Sequence, residues 1–455
     1  MPFGYIGMLL AAFLSGGMSS TDVASIVQPT HYFQTREIEI SIDKMIELAS
    51  RAPNDPKTQI QQLVALRHLA DESDKLKKAA NYAGHRQTLE KIAQGKLAAD
   101  TFGFASDYAA RVLRKLDNAR PPVVKTRPIR EDALEWFPAD VTFAATSDLR
   151  HGSNAANYAL RDQFNLMPGL EKKGLYDFFE QCGNVRIERI AFGFVDAKDP
   201  KKRKLFLRIT GKANQKWCVD ALQAISGGHM TATPMKNADG ATITLLNGGQ
   251  NAPAILAIGN TDVLIGGYNG ANPPTDELAA ELLDIRAKKK PNAASGELKA
   301  PLAKIPDRAV AFALGAVPHE LQVEFRFLLD AVPMSLSAFV ERTPTGMDLQ
   351  FEGTMFNKDH TAKFVQKMSN HRKEGITMLH KLKGQPPPLP PGSPPIPFQG
   401  LIDLLESLQV NGEADKAQLR VIVPDGLLQQ AGMMGMIWGH AVDVAPPPAE
   451  VKKDK

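Results

Sequence analysis

The chain has 455 residues, with 54 Lys and Arg against 50 Asp and Glu, a net charge of +4, and it is 43% hydrophobic and 23% charged. That is ordinary globular composition with room for two or three domains, and it excludes the strongly basic balance of a dedicated nucleic-acid binder. The two cysteines, Cys182 and Cys218, form no Cys-x-x-Cys or Cys/His cluster, which excludes an ordinary structural zinc site.

Residues 1–19 read as an export signal. Tyr5 to Leu14 is an apolar run, too short to span a bilayer, followed by the small residues Ser15, Gly16 and Gly17. The first four residues carry no Lys or Arg, so the alternative is a buried N-terminal segment of a cytoplasmic protein. No cysteine follows the run to take a lipid, and no other stretch approaches the length of a membrane helix. In an oxidising compartment Cys182 and Cys218 could pair; otherwise both are small buried hydrophobes.

Residues 36–119 read as a helical hairpin region. Ser41 or Asp43 caps a stripe of Met45, Ile46 and Leu48. Ala52-Pro53-Asn54-Asp55-Pro56 turns the chain into a second stripe, Ile60, Leu63, Val64, Leu66 and Leu69. Further helices are expected over 87–94 and 104–116. The pattern is either a HEAT-like array, best seen at Leu63-Val64-Ala65-Leu66-Arg67-His68-Leu69, or a plain bundle. Residues 120–135, opening Arg120-Pro121-Pro122, read as a linker.

An α+β module is expected over 136–291. Val141, Phe143 and Ala145 alternate in a strand after Trp136-Phe137-Pro138, and helices are expected over 154–164 and from Gly174. A β-β-α unit follows. Leu205, Leu207 and Ile209 alternate with Phe206 and Arg208, and Trp217, Cys218, Ala221 and Leu222 recur at helical spacing. Strands are expected over 242–246, 254–258 and 263–267, then a helix over 275–288.

Residues 305–440 echo this plan. Pro306-Asp307-Arg308-Ala309-Val310-Ala311-Phe312 matches Pro138-Ala139-Asp140-Val141-Thr142-Phe143. A second β-β-α unit carries Leu349, Phe351, Gly353 and Met355, then Asn357, then Phe364, Val365 and Met368. Gly400-Leu401-Ile402-Asp403 resembles the stretch from Gly174, with a strand over 419–423 and a helical segment from Asp425 after it. The fold class is therefore α+β: an N-terminal helical region and two related modules with largely antiparallel sheets and helices on one face. A proline-rich insert at 385–397 reads as a stiff spacer, or as a dock for a polyproline-binding partner. Residues 441–455 read as a disordered tail.

No chemistry emerges from motifs. Phosphate-cradling Gly-x-Gly-x-x-Gly and P-loop patterns are absent, and Gly266-Gly267-Tyr268-Asn269-Gly270 reads as a strand-end turn. No Gly-x-Ser-x-Gly elbow occurs. His151 lies beside Ser153, but a nucleophile and its base converge from different elements, so Ser153 reads as a helix cap. His360, His371 and His380, with Asp359 and Glu374, have spacings that share no helical face, so they read as solvated. Lys198, Lys201, Lys202, Arg203 and Lys204 could meet phosphates or an anionic membrane, and otherwise form a solvated hairpin tip. Trp136, Trp217 and Trp438 look like core or interface residues, and the run from Gly432 to Trp438 packs a core or seats a partner. No catalytic, cofactor-binding or metal residue is assigned.

The layout, together with Leu89-Glu90-Lys91-Ile92-Ala93-Gln94-Gly95-Lys96, Phe102-Gly103-Phe104-Ala105-Ser106-Asp107-Tyr108-Ala109 and Trp136-Phe137-Pro138-Ala139-Asp140, resembles uncharacterised exported proteins of planctomycete-type bacteria. The resemblance implies no activity and no cofactor. Three functional readings follow. The first is an exported, non-enzymatic binding or scaffold protein with a protein partner in the cell envelope. The second is a hydrolase-type enzyme with its site in a cleft between the modules. The third is phosphate or nucleic-acid binding through the basic hairpin.

Overall fold

A computed structural model describes residues 41–96, 104–119, 128–148, 181–183, 186–197, 203–225, 229–235, 241–247, 254–268, 275–343, 346–386, 396–424 and 427. The chain is α+β, mixing helices with antiparallel sheet. It divides into two compact units: Pro29–Thr146 with Leu160–Lys299, and Met1–Gln28 and Ser147–Ala159 with Ala300–Lys455.

The first unit begins with helices α1 (Ile42–Ala49), α2 (Pro56–Asp71), α3 (Ser73–Lys77), α4 (Tyr82–Ala93) and α5 (Phe104–Leu116). The Lys44 N–H donates to the Ser41 hydroxyl at 3.3 Å, which caps α1. Asp55 accepts from the Thr58 N–H at 2.9 Å, and Pro56 sits at the first position of α2, where a missing N–H costs nothing. The last carbonyls of α1 have no partner within their own helix. Gln62, buried on α2, supplies one: its Nε2 donates to Ala49 O at 3.0 Å and Arg51 O at 2.9 Å. Leu66, Leu69, Leu76, Leu89, Phe104, Ala109 and Val112 close a single core shared by all five helices.

The strands of this unit have the order β1 (Phe143–Asp148, in this unit as far as Thr146), β2 (Arg186–Val195), β3 (Lys204–Lys212), β7 (Asp262–Tyr268), β6 (Ala254–Ile258), β5 (Ile243–Asn247), β4 (Thr231–Met235). From β2 to β4 the pairings are antiparallel. Helix α6 (Gln215–Ile225) follows β3, and α7 (Thr275–Arg286) follows β7. Every residue of β1 is buried, so the expected alternation from Val141 describes a strand that in fact hides both faces. On β3 the buried face carries Phe206 and Arg208, whereas Leu205 on the other face is 39% exposed. Two glycines make room over that buried face. A Cβ on Gly193 would lie 2.9 Å from the Phe137 ring, and one on Gly266 would lie 3.0 Å from Leu282. Gly266 and Gly267 are therefore interior positions of β7, not the strand-end turn expected from the glycine cluster.

The second unit has the strand order β8 (Ala309–Ala316), β9 (Pro333–Thr343), β10 (Gly346–Met355), β12 (Lys416–Pro424), β11 (Gln409–Glu413), antiparallel throughout. Helices α8 (His319–Leu329), α9 (Lys358–Gly384) and α10 (Phe398–Ser407) connect them. Asn357 caps α9 by accepting from the His360 N–H at 3.0 Å. Phe364 of α9 stacks on Phe351 of β10 with ring centroids 5.8 Å apart, and Met355, Ala417 and Ala331 complete that core. At Gly375 the two helices meet: a Cβ there would be 2.8 Å from Leu405 of α10.

Candidate functional site: a buried arginine–aspartate–tryptophan cluster

Phe206 and Arg208 share the buried face of β3, the reverse of the alternation that sets Leu205, Leu207 and Ile209 as its apolar side, so a guanidinium lies among core side chains. Burying that charge is costly without partners. Asp262, at the start of β7, provides the first: Arg208 Nε donates to its Oδ1 at 3.2 Å, and each side chain is only 9% exposed. Arg208 Nη1 also donates to the backbone carbonyl of Asp132 at 2.8 Å. The same Oδ1 also accepts from the Thr210 hydroxyl, and Oδ2 accepts from the Thr261 hydroxyl, both at 2.8 Å.

Trp136 completes the cluster. The Arg208 guanidinium lies 3.6 Å from the centroid of its ring, and that of Arg286, from α7, lies 5.1 Å away. Cation–π attraction is strongest for tryptophan and grows on desolvation. Arg189 of β2 pairs with the Asp132 carboxylate. The segment bearing Asp132 and Trp136 is also held by its backbone: Asn292 Nδ2 donates to Glu135 O at 3.2 Å, and the Ala293 N–H donates to Phe137 O at 2.8 Å. Burial holds the Arg208 guanidinium below the usual arginine range, and Asp262, Asp132 and Glu135 offset only part of that.

An arginine does not exchange its proton near neutrality. The cluster therefore orients and holds; Arg208 and Asp262 fasten the 132–137 segment across β3 and β7. None of its members was singled out from sequence except Trp136. No sequence signal marked Arg208, because it alternates with Leu205, Leu207 and Ile209 and so reads as a wet-face position.

The residues singled out from sequence do not converge. His151, Ser153, Lys198, Lys201, Lys202, Trp438 and the run 432–438 lie outside the described residues. Arg203 and Lys204 are not a solvated tip. Arg203 Nε lies 3.1 Å from Asp196 Oδ1 and Lys204 Nζ lies 3.0 Å from Asp140 Oδ2, with both basic side chains largely buried. His360 is also engaged: its Nδ1 accepts from the Val332 N–H at 3.1 Å and its ring meets Phe356 edge-on. His371 reaches only Glu374, at 3.9 Å, and His380 is exposed. Among the described residues no group of three or more His, Cys, Asp or Glu is placed to hold a metal ion. Among them, too, no helix is long and apolar enough to cross a membrane.

No family model matches the chain, and no curated protein matches it. Among solved structures it is similar to crystal form III of TP0453, with a TM-score of 0.33 and 9% identity, covering 67% of this chain and 98% of that one. Crystal form I of TP0453 gives a TM-score of 0.32 and 10% identity, covering 67% and 97%. Likeness at that level transfers neither fold nor function.

Proposed function

We propose that this is an exported, non-enzymatic binding or scaffold protein built on a duplicated α+β module, with a protein partner in the cell envelope. Export is carried by the apolar run Tyr5 to Leu14 and the small residues after it. A non-enzymatic reading is supported by the Arg208–Asp262 cluster, whose charges are engaged within the fold, holding backbone to sheet.

Duplication is supported by strand order. In one unit β1, β2 and β3 are neighbours, a helix follows β3, and the later hairpin β6–β7 returns so that β7 pairs with β3. In the other, β8, β9 and β10 are neighbours, a helix follows β10, and the hairpin β11–β12 returns so that β12 pairs with β10. The module boundaries remain 136–291 and 305–440, with the helical region 36–119 ahead of them.

Chemical cross-linking in intact native cells, read by mass spectrometry, tests the binding role. The reading requires recurrent cross-links from this chain to one envelope protein. Cross-links confined to cytoplasmic proteins contradict it.

A further inference from the structure

Residues 181–182 end a helical turn, and Gly183 follows with φ of 73°, the left-handed conformation that glycine adopts at little cost. The approach there is close. A Cβ on Gly183 would lie 2.5 Å from Gln59 Oε1 and 3.1 Å from the Trp217 ring. Cys182 precedes that glycine, and Cys218 follows that tryptophan. The start of α6 is fixed as well: the Trp217 N–H donates to Asn214 Oδ1 at 3.2 Å, the Cys218 N–H to Asn214 O at 3.0 Å, and the Gln215 N–H to Asn260 Oδ1 at 3.1 Å. Cys182 thus lies beside a residue packed on Trp217, the neighbour of Cys218, and the two free thiols interact with each other.

We propose that Cys182 and Cys218 are a disulfide-forming pair that staples the 181–183 segment to α6, closing a loop around the β2–β3 hairpin. For its place in the cell the staple rests on the export reading, because such bonds persist in oxidising compartments. Its chemistry is a two-electron exchange. One thiolate attacks the disulfide of a donor, either a thiol–disulfide oxidoreductase or a small-molecule disulfide, and one donor thiol leaves. The second cysteine, as thiolate, then displaces the other donor thiol. Two protons and two electrons leave the protein, and the donor departs as two thiols.

Timing follows from burial. Cys182 is inaccessible, and the Cys218 hydrogen bond followed by burial pushes its thiol up, so Cys182 holds little thiolate once the protein is folded and reduced. The bond is installed while the chain folds, before Cys182 is covered.

The full-length protein, refolded from denaturant in mixtures of oxidised and reduced glutathione, tests this without any variant. The expected product is about 2 Da lighter than the reduced protein, because two hydrogens leave with the donor. It yields a Cys182–Cys218 linked peptide, and its Tm lies several degrees above that of the reduced form. Already folded, reduced protein should oxidise at least tenfold more slowly than refolding protein. Two free thiols at every glutathione ratio, or only intermolecular links, overturn the pairing. A parallel intact-mass measurement on protein from native cells separates the two ideas. A linked pair on refolding together with an uncleaved, reduced native chain leaves the pairing standing and removes export. A cleaved native chain that never links on refolding does the reverse.

Discussion

Arg420 grips Asp348 with two nitrogens on the face of the second unit's strands opposite α9: Nε lies 3.0 Å from Oδ1 and Nη2 lies 2.7 Å from Oδ2. The strands β10 and β12 pair Gln350 with Arg420 and Asp348 with Ile422, so the contact is diagonal across the ladder. The aspartate side chain is only 7% exposed, while the arginine covering it is 51% exposed. Gln350 adds a donor to the same carboxylate at 3.0 Å. The Arg420 hydrogen bond, opposed by burial and helped by Gln350, holds Asp348 below the usual carboxylate range.

That depression has a signed consequence. A carboxylate whose folded pKa is lowered contributes stability above its unfolded value, about 3.9, and loses it as pH falls through the folded value. Asp348→Asn should therefore flatten the acid limb of the stability curve below about pH 4 while lowering stability at pH 7. Urea denaturation of both proteins from pH 7 down to pH 2 checks it. An unchanged acid limb in the variant means the pair is not coupled to folding.

The Arg208–Asp262 pair is buried on both sides, so removing one partner strands the other charge. Arg208→Met should cost about 3–5 kcal/mol. Arg208→Met combined with Asp262→Asn should cost less than the sum of the two single changes, because no orphaned charge remains. Chemical denaturation of the three variants gives the coupling directly, and additive losses would contradict a shared cluster.

Much of the fold was legible where one face is wet. Helix α5, Phe104–Leu116, has the bounds its spacing predicts; strand β6, Ala254–Ile258, does too, although it has no wet face, because it is a short apolar run closed by a turn. Helix α9 was legible only at Phe364, Val365 and Met368; beyond them Ile376, Leu379 and Leu382 are half-buried, Met378 is exposed, and all are mixed with lysines as the helix runs on to Gly384. The short strands β4 and β11 are polar and largely exposed, so they carry no pattern. Helix α8 is the opposite case: Leu321, Val323, Phe325 and Phe327 alternate as in a strand, yet the segment is helical. The Arg208 cluster was illegible because its members are spread from Asp132 to Arg286, and only the pairing of β3 with β7 assembles them.

Gly193 is a packing requirement. Gly193→Ala would push a methyl toward the Phe137 ring and should destabilise the protein by about 1–3 kcal/mol. Combining it with Phe137→Leu should recover part of that loss relative to the sum, as shared-space coupling demands. Thermal melts of the single and double variants test it, and a neutral Gly193→Ala refutes the close contact.

Gln62 holds the helical region together by satisfying the Ala49 carbonyl at the end of α1 and the Arg51 carbonyl just beyond it. Gln62→Leu keeps the volume but strands those acceptors, so a loss of about 1–3 kcal/mol is expected. Amide hydrogen exchange should show it first in α1, and unchanged protection there would assign the hydrogen bonds no role.

The most direct test of the account is the intact mass and N-terminal sequence of the protein recovered from fractionated native cells. The account predicts a chain in the envelope fraction that begins after the Tyr5-to-Leu14 apolar run, at or beyond Ser15-Gly16-Gly17. A chain recovered from the cytoplasmic fraction with Met1 and its apolar run intact would contradict it.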